Sequence, residues 1–398
     1  MSVTEAHLIA ATQRLREHPH DQGAWLELAA IHHALGNAED AEALFHTIGE
    51  GARIGGQVAL AVACGRHLAE LGSVHGPELV DAVVESYAAG AVRADAAPTA
   101  PEEAPTVPAG RGTPLEEARA LVTALSAWLL AREVNAPAAP LLAGLSKPGA
   151  RALIGVMTAR AFPAGAVIIE VDAPATAMYW LAHGTLGVAR GGTELGELHT
   201  GALFGEIALV GGTKRTARVT AREDAWVLEI PARAVETAAQ KHPKLAEVLA
   251  HHARARLLAN LSRTSELFRA LGDDDRDALL AKFSTKILPA GTTFITEGQR
   301  NEQLWVVVSG KCQVKSAGAP LADLGPGAAV GEISLVSGAA AVASVTAVEP
   351  AVLLCLSKED FDVVAKKHPT LLSEVEKLVV ARETAFHALF EDASDLIV

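Results

Sequence analysis

Up to about Val92, apolar positions recur at three- and four-residue spacing, the period of helices that bury one face. The spacing is interrupted at His18-Pro19, Gly36-Asn37, Gly49 to Gly56 and Gly72 to Pro77, so residues 1–92 are predicted to be short helices broken there. From Arg93 to Thr113 the pattern dissolves into Ala, Pro, Thr and Gly. Repeated prolines deny that backbone both helix and ladder hydrogen bonds, and 93–113 is expected to be a semi-rigid, solvated linker. Pro114 opens an amphipathic segment reaching about Glu133, with Leu115, Leu121, Leu125, Trp128 and Leu129 on one side. We read 114–136 as a connecting helix that packs as the leading helix of the next domain.

Beyond residue 137 the period changes. Short alternating or fully apolar runs, Ala166 to Val171, Ala177 to Ala182, Leu186 to Ala189 and Ala225 to Ile230, are punctuated by glycine and have strand length. Spacing near ten residues predicts a jelly roll or barrel rather than a βαβ sheet. Helical segments precede it (Lys147 to Thr158) and follow it (Ala232 to about Leu261). The pattern then recurs. A shift of 126 places Phe162-Pro163-Ala164-Gly165 on Leu288-Pro289-Ala290-Gly291, Gly184 on Gly310, Gly201 on Gly327 and Gly205-Glu206-Ile207 on Gly331-Glu332-Ile333. It also places Lys241-His242-Pro243 on Lys367-His368-Pro369. One gapless offset over that span indicates duplication of a whole domain, with helices at Asp273 to Phe283 and Lys358 to about Phe390 flanking the second copy. The expected fold is multidomain α+β: an all-α helical repeat, then two β-roll domains at 137–262 and 263–392.

Within the helical region, Trp25, Leu28, Ala29, Gly36, Ala41 and Phe45 fall where a tetratricopeptide repeat places its large, small and turn residues. Small Ala29 and Ala41 would let two antiparallel helices approach, with Trp25 and Phe45 filling the gap beside them. Leu71-Gly72 repeats Leu35-Gly36, although Ala61 stands at the second unit's tryptophan position. The resemblance covers about one repeat and implies a protein-binding surface on 1–92. A plain helical bundle accounts for the same residues.

The segment from Phe204 to Ala217, Phe-Gly-Glu-Ile-Ala-Leu-Val-Gly-Gly-Thr-Lys-Arg-Thr-Ala, resembles the phosphate-binding cassette of cyclic-nucleotide-binding domains, as in protein kinase A regulatory subunits and the catabolite activator. The family pattern is Phe-Gly-Glu, an apolar helical turn, a variable stretch, then Arg followed by small residues. The chemistry accounts for those types. A guanidinium grips two oxygens of a singly charged cyclic phosphate with parallel, charge-assisted hydrogen bonds, and the resemblance gives that role to Arg215. A fixed carboxylate accepts from the free ribose 2′-hydroxyl, which falls to Glu206. Gly205 admits the backbone close to the sugar, and a helical turn near Ile207 aims amides at the phosphate, with Ala208 and Ala217 as donors. The resemblance thus implies a ligand, cAMP or cGMP, and no cofactor or catalytic group. A surface Glu–Arg salt bridge is the structural alternative.

In the second copy Gly331 and Glu332 persist, but Ala341 stands at the arginine position, and no basic residue lies in Ala339 to Ala343. That copy is expected not to bind a cyclic nucleotide. It remains a structural partner, a lid, or a site for an uncharged ligand. Between nucleotides the residues divide. Thr216 after the arginine accompanies cGMP recognition in kinases and channels of the family, whereas bacterial cAMP receptors tolerate a hydroxyl there; we favour cAMP. Leu257, Leu258 and Phe268 are the candidates to stack on the base.

Charge narrows the partners. Lys plus Arg is 34 against 47 Asp plus Glu, a formal charge of −13 with no basic concentration, so nucleic acid is not an expected partner. Three scattered cysteines make neither a disulfide framework nor a thiolate metal site. His32-His33, His251-His252 and Cys64 with His67 lack companion ligands at metal spacing, Asp273 to Asp275 reads as a helix start, and Gly211 to Lys214 lacks phosphate-loop spacing. No cupin histidine pair is present. Without an apolar stretch of membrane-spanning length or a basic-then-apolar start, the expectation is a soluble cytoplasmic protein. After the second roll too little chain remains for a helix-turn-helix, and the linker holds no kinase-inhibitor-like Arg-Arg-x-Ser segment. The reading is therefore a non-enzymatic receptor signalling through its helical module, with a helical-repeat scaffold carrying structural rolls as the alternative.

Overall fold

The computed structural model describes residues 3–91, 103–110, 112–131, 139–206, 214–249, 251–252 and 272–367, with a few positions up to 380. Five helices open the chain: α1 Glu5–Glu17, α2 Gln22–Ala34, α3 Ala38–Ile54, α4 Val58–Glu70 and α5 His75–Tyr87. Each packs on the next. Trp25, Ala29, Ala41 and Phe45 are all buried where α2 meets α3, and the Trp25 indole donates to the Pro19 carbonyl at 2.9 Å.

Helix α3 differs from the sequence expectation. It runs through Gly49 and Gly51 and stops only at Gly55-Gly56. Those two glycines are clearance rather than punctuation. A Cβ on Gly49 would lie 2.3 Å from Leu79 Cδ2, and one on Gly51 would lie 2.7 Å from Leu129 Cδ2. The second of these neighbours belongs to α6 (Pro114–Leu130), whose course is a second correction. Rather than leading the first roll, α6 packs on α1 and α3. Ala118, Leu121 and Leu125 are buried, and Arg119 holds both oxygens of Asp40 at 2.9 to 3.1 Å. Its start is fixed by Thr113 and Glu116, which cap one another's backbone amides. The described part of the linker, 103–110, has no regular structure.

Short α7 (Pro140–Ala143) and α8 (Lys147–Gly155) lead into the roll. Its eight strands are β1 Thr158–Phe162, β2 Val167–Ile169, β3 Ala177–His183, β4 Thr185–Arg190, β5 Thr193–His199, β6 Leu203–Phe204, β7 Arg218–Ala221 and β8 Ala225–Pro231, followed by α9 Ala232–Lys241. They form two antiparallel sheets, ordered β1-β8-β3-β6 and β2-β7-β4-β5. After α10 (Asp273–Lys282) the second roll repeats them: β9 Ser284–Leu288, β10 Thr293–Ile295, β11 Gln303–Ser309, β12 Cys312–Ser316, β13 Ala319–Leu324, β14 Ala329–Val330, β15 Ser344–Ala347 and β16 Ala351–Ser357, then α12 Lys358–Lys367. A short α11, Glu332–Ser337, lies between β14 and β15. Its sheets run β9-β16-β11-β14 and β10-β15-β12-β13, the same order under the 126 shift. By contact the chain falls into two compact units. One holds the helices and most of the first roll; the other holds the second roll with the paired segments around Ala173 and Arg215.

The central strands are apolar on both faces because both faces are covered. In β16, Val352, Leu354 and Leu356 enter a cluster with Phe283 and Phe361 of the flanking segments, while Ala351, Leu353 and Cys355 enter the cluster between the sheets. Strand β11 divides likewise, Leu304, Val306 and Val308 against Trp305 and Val307. In the first roll the outer face of β3 and β8 is covered by α4 instead. Phe45 and His67 sit 5.5 and 5.3 Å from the Trp226 ring, and Arg66 Nε donates to the Met157 carbonyl at 2.7 Å. The helical module and first roll thus share a packed interface.

Two predictions come from this packing. Burial holds His32, His67 and His183 below the usual histidine pKa, reinforced at His67 by His33 and opposed at His183 by Glu223 and Asp21. The folded state binds protons less readily than the unfolded chain. The stability these rings contribute is therefore present above about pH 6.5 and declines as pH falls from there. The thermal midpoint should drop between about pH 7.5 and 5.5, and the drop should shrink in His67→Gln. Second, a Cβ on Gly76 would lie 2.4 Å from the Ala69 nitrogen and 2.8 Å from the Gly65 oxygen, both backbone. Gly76→Ala should destabilise by about 1–3 kcal/mol, read as a lower urea midpoint.

Candidate functional site

Strand β6 ends at Phe204, whose ring stacks on Tyr179 at 5.3 Å. Gly205 then turns the chain with φ +80°, a left-handed conformation costly for other residues, and Glu206 follows it into the interior at 3% exposure. Ile207 and Ala208 lie outside the described residues, as do Leu257, Leu258 and Phe268. The chain is described again at Lys214. Arg215 is 5% exposed, and its backbone is anchored on both sides: its N–H donates to the Ala173 carbonyl and its carbonyl accepts from the Asp172 N–H, each at 2.9 Å. Thr216 and Ala217 are half-buried. Among the described residues, the buried side chains of types Asp, Glu, Lys and Arg are Glu206, Arg215 and Glu332. Such groups are rarely buried without a role or partner, and this burial argues against a surface salt bridge.

The second copy provides an internal control. Gly331 has φ +90° and Glu332 is 2% exposed. Ala341 N–H donates to the Gln299 carbonyl and its carbonyl accepts from Gly298 N–H, each at 2.8 Å. These are the partners that the 126 shift assigns to Arg215. The two rolls therefore share this backbone slot but differ in its side chain, a guanidinium in one and a methyl in the other. That roll contains a cavity of about 310 Å³. Its lining includes Val330, Gly331, Glu332, Ile333, Ser334, Ala341, Val342 and Ala343, which align one for one with Phe204, Gly205, Glu206, Ile207, Ala208, Arg215, Thr216 and Ala217.

Sequence reasoning missed two features. One is the Asp172-Ala173 turn that seats Arg215. Asp172 has φ +61°, and its counterpart Gly298 has φ +76°, so the aligned Asp/Gly pair was the available signal for a left-handed turn. The other is the far wall of the second cavity, Ile295, Val314, Leu321 and Leu324, whose convergence depends on sheet closure. Cys64, Cys312 and Cys355 are free, buried thiols, Cys312 and Cys355 within one core cluster, and burial pushes Cys312 up to about 11. Among the described residues no cluster of three or more His, Cys, Asp or Glu is placed to hold a metal, and no helix is long and apolar enough to cross a membrane.

Comparison with known proteins matches the cyclic nucleotide-binding domain family twice, at residues 159–242 and 285–368, the same 126 apart. The cyclic AMP receptor protein of Thermus thermophilus is 31% identical over 123 residues, 30% of this chain and 57% of that protein. A cAMP-dependent protein kinase regulatory subunit of Debaryomyces hansenii is 23% identical over 218 residues, 53% of this chain and 46% of that one. The chain thus spans about half the length of these curated relatives. Among solved structures, cAMP-bound PfPKA-R aligns with TM-score 0.32 and 15% identity, covering 64% of this chain and 87% of that one.

Proposed function

We propose that this chain, which carries two cyclic nucleotide-binding domains, is a non-enzymatic regulatory protein that binds one cyclic nucleotide, in its first roll, and signals to a protein partner through the helical module. The observation carrying this reading is the burial of Glu206 and Arg215 at the cassette positions of the one roll that keeps both. Glu206 accepts from the ribose 2′-hydroxyl. Arg215 pairs with the cyclic phosphate, assisted by amides of Ala208 and Ala217, while Phe204 and Gly205 shape the approach. In the second roll Ala341 leaves the phosphate without a cation, and that roll takes no cyclic nucleotide.

Of the two nucleotides we assign cAMP, with Thr216 tolerated rather than used as a guanine reader. Output follows from the packed interface. Helix α4 covers the β3–β8 face of the ligand-binding roll, so a ligand that prefers one arrangement of that roll biases the module resting on it. A tetratricopeptide-like use of residues 1–92 as the partner surface is part of the proposal.

Calorimetric titration of the intact chain should give one equivalent of cAMP bound more tightly than cGMP. Arg215→Ala removes one member of a buried charge pair, worth about 2–5 kcal/mol, so affinity should fall roughly 30- to 4000-fold. Silence of the wild type toward both nucleotides would instead favour a scaffold with structural rolls. Hydrogen exchange offers a check on the output. Saturating cAMP should alter amide protection in α3 and α4 of the wild type and leave Arg215→Ala unchanged; no change in the wild type would remove the helical module from the signalling route.

A further inference from the structure

We propose that the cavity of the second roll is a binding site for an uncharged nucleoside. The proposal rests on the reading that the Gly-Glu pair of these rolls holds a ribose. The second roll keeps that half of the site: Gly331 repeats the left-handed turn, and Glu332 is buried against the cavity as Glu206 is buried in the first roll. Carboxylate oxygens accept hydrogen bonds, and a ligand with hydroxyl donors, such as a free ribose, suits them.

The other half of the site has been converted. Where the first roll has Arg215-Thr216-Ala217, the second has Ala341-Val342-Ala343, and the wall around it includes Ile295, Val314, Leu321 and, as a polar member, Ser334. None of the residues lining this cavity is cationic, and the ionisable one is an acid. A phosphate brought here would be desolvated without a counter-charge and repelled by Glu332. A ligand lacking the phosphate meets neither penalty. Its base finds apolar surface, and the volume, about 310 Å³, lies at the lower end of the range for small-molecule pockets. The same backbone that seats a phosphate-gripping arginine in one roll thus seats, in the other, a methyl group compatible with the dephosphorylated form of the same molecule. A protein with both sites reads the cyclic nucleotide and a neutral nucleoside separately.

The test uses the full-length Arg215→Ala protein, in which the first site is disabled. Adenosine, guanosine, inosine and uridine are titrated calorimetrically up to about 1 mM, each beside its 2′-deoxy counterpart. We expect saturable binding of at least one ribonucleoside at one equivalent. Its 2′-deoxy form should bind roughly 10- to 100-fold more weakly, the loss of a hydroxyl bonded to a charged acceptor. In the same background Ala341→Arg restores a guanidinium and should confer cAMP binding while weakening that of the nucleoside. Glu332→Gln should weaken the nucleoside without lowering the thermal midpoint enough to indicate unfolding. Silence toward all four ribonucleosides would overturn the assignment, as would equal affinity for ribo and deoxy forms, or tighter binding of cAMP than of any nucleoside in the Arg215→Ala protein. Because the cyclic-nucleotide reading is tested on the wild type and this one on the variant, either can fail alone.

Discussion

Placing a charge inside a β-roll is the constraint around which this molecule is organised. An ionised side chain in an apolar interior forfeits several kcal/mol of hydration unless something there replaces the water. Glu206 and Arg215 are buried in one roll, and Glu332 in the other. The duplication separates the requirements of folding from those of chemistry. Both rolls make the same left-handed glycine turn and the same pair of backbone hydrogen bonds, at 2.9 Å around Arg215 and 2.8 Å around Ala341. A roll with alanine at that position closes in the same strand order. The guanidinium is thus not needed to build the architecture, and folding does not explain its burial.

The second organising fact is that the central sheet of each roll has no free face. Strands β11 and β16 divide their side chains between two cores, which requires helices against the outside. In the first roll that cover comes from α4, through His67 and Arg66, with Phe45 of α3 beside them. The cover is part of the helical module. A partner-binding domain tethered by a flexible chain reports little of what happens at a distant pocket, because the linker absorbs displacement. A module that packs directly on the first roll has no such slack, since packed cores are dense and resist continuous deformation. The histidines at this interface, His67 and His183, add a constraint: burial lowers their pKa, which ties the docking of the module to pH as well as to packing.

Much of this was legible in the residues. The 126 offset predicted the duplication, and every strand recurs at that interval because glycines with positive φ, Gly184 with Gly310 and Gly201 with Gly327 among them, leave each turn few alternatives. Glu206 and Arg215 were named from a pattern local in sequence, and both are buried. The failures have a common origin in tertiary contact. Gly49 and Gly51 read as breaks, since glycine weakens an isolated helix, yet α3 continues because Leu79 and Leu129 occupy the space a Cβ would fill. Helix α6 read as the leader of the first roll because its apolar face names no partner; the Arg119–Asp40 pairing and the gap at Gly51 send it back to α1 and α3. The Asp172 turn and the wall at Ile295, Val314 and Leu321 are set by strand pairing, which composition and spacing do not encode.

The loss of one arginine leaves a question about the residue that remained. If the second roll were only ballast, a buried carboxylate at Glu332, beside apolar Ile295, Val330 and Val345, would serve no ligand. Instead the acid persists, the glycine before it keeps a conformation that few residues adopt, and a cavity stays open beside both. An open apolar cavity itself forgoes packing contacts. A buried acid and an open cavity side by side are what a ligand site would display. The difference between the copies, a cation in one and a methyl in the other with an acid in both, is the ground on which an uncharged ligand is proposed for the second.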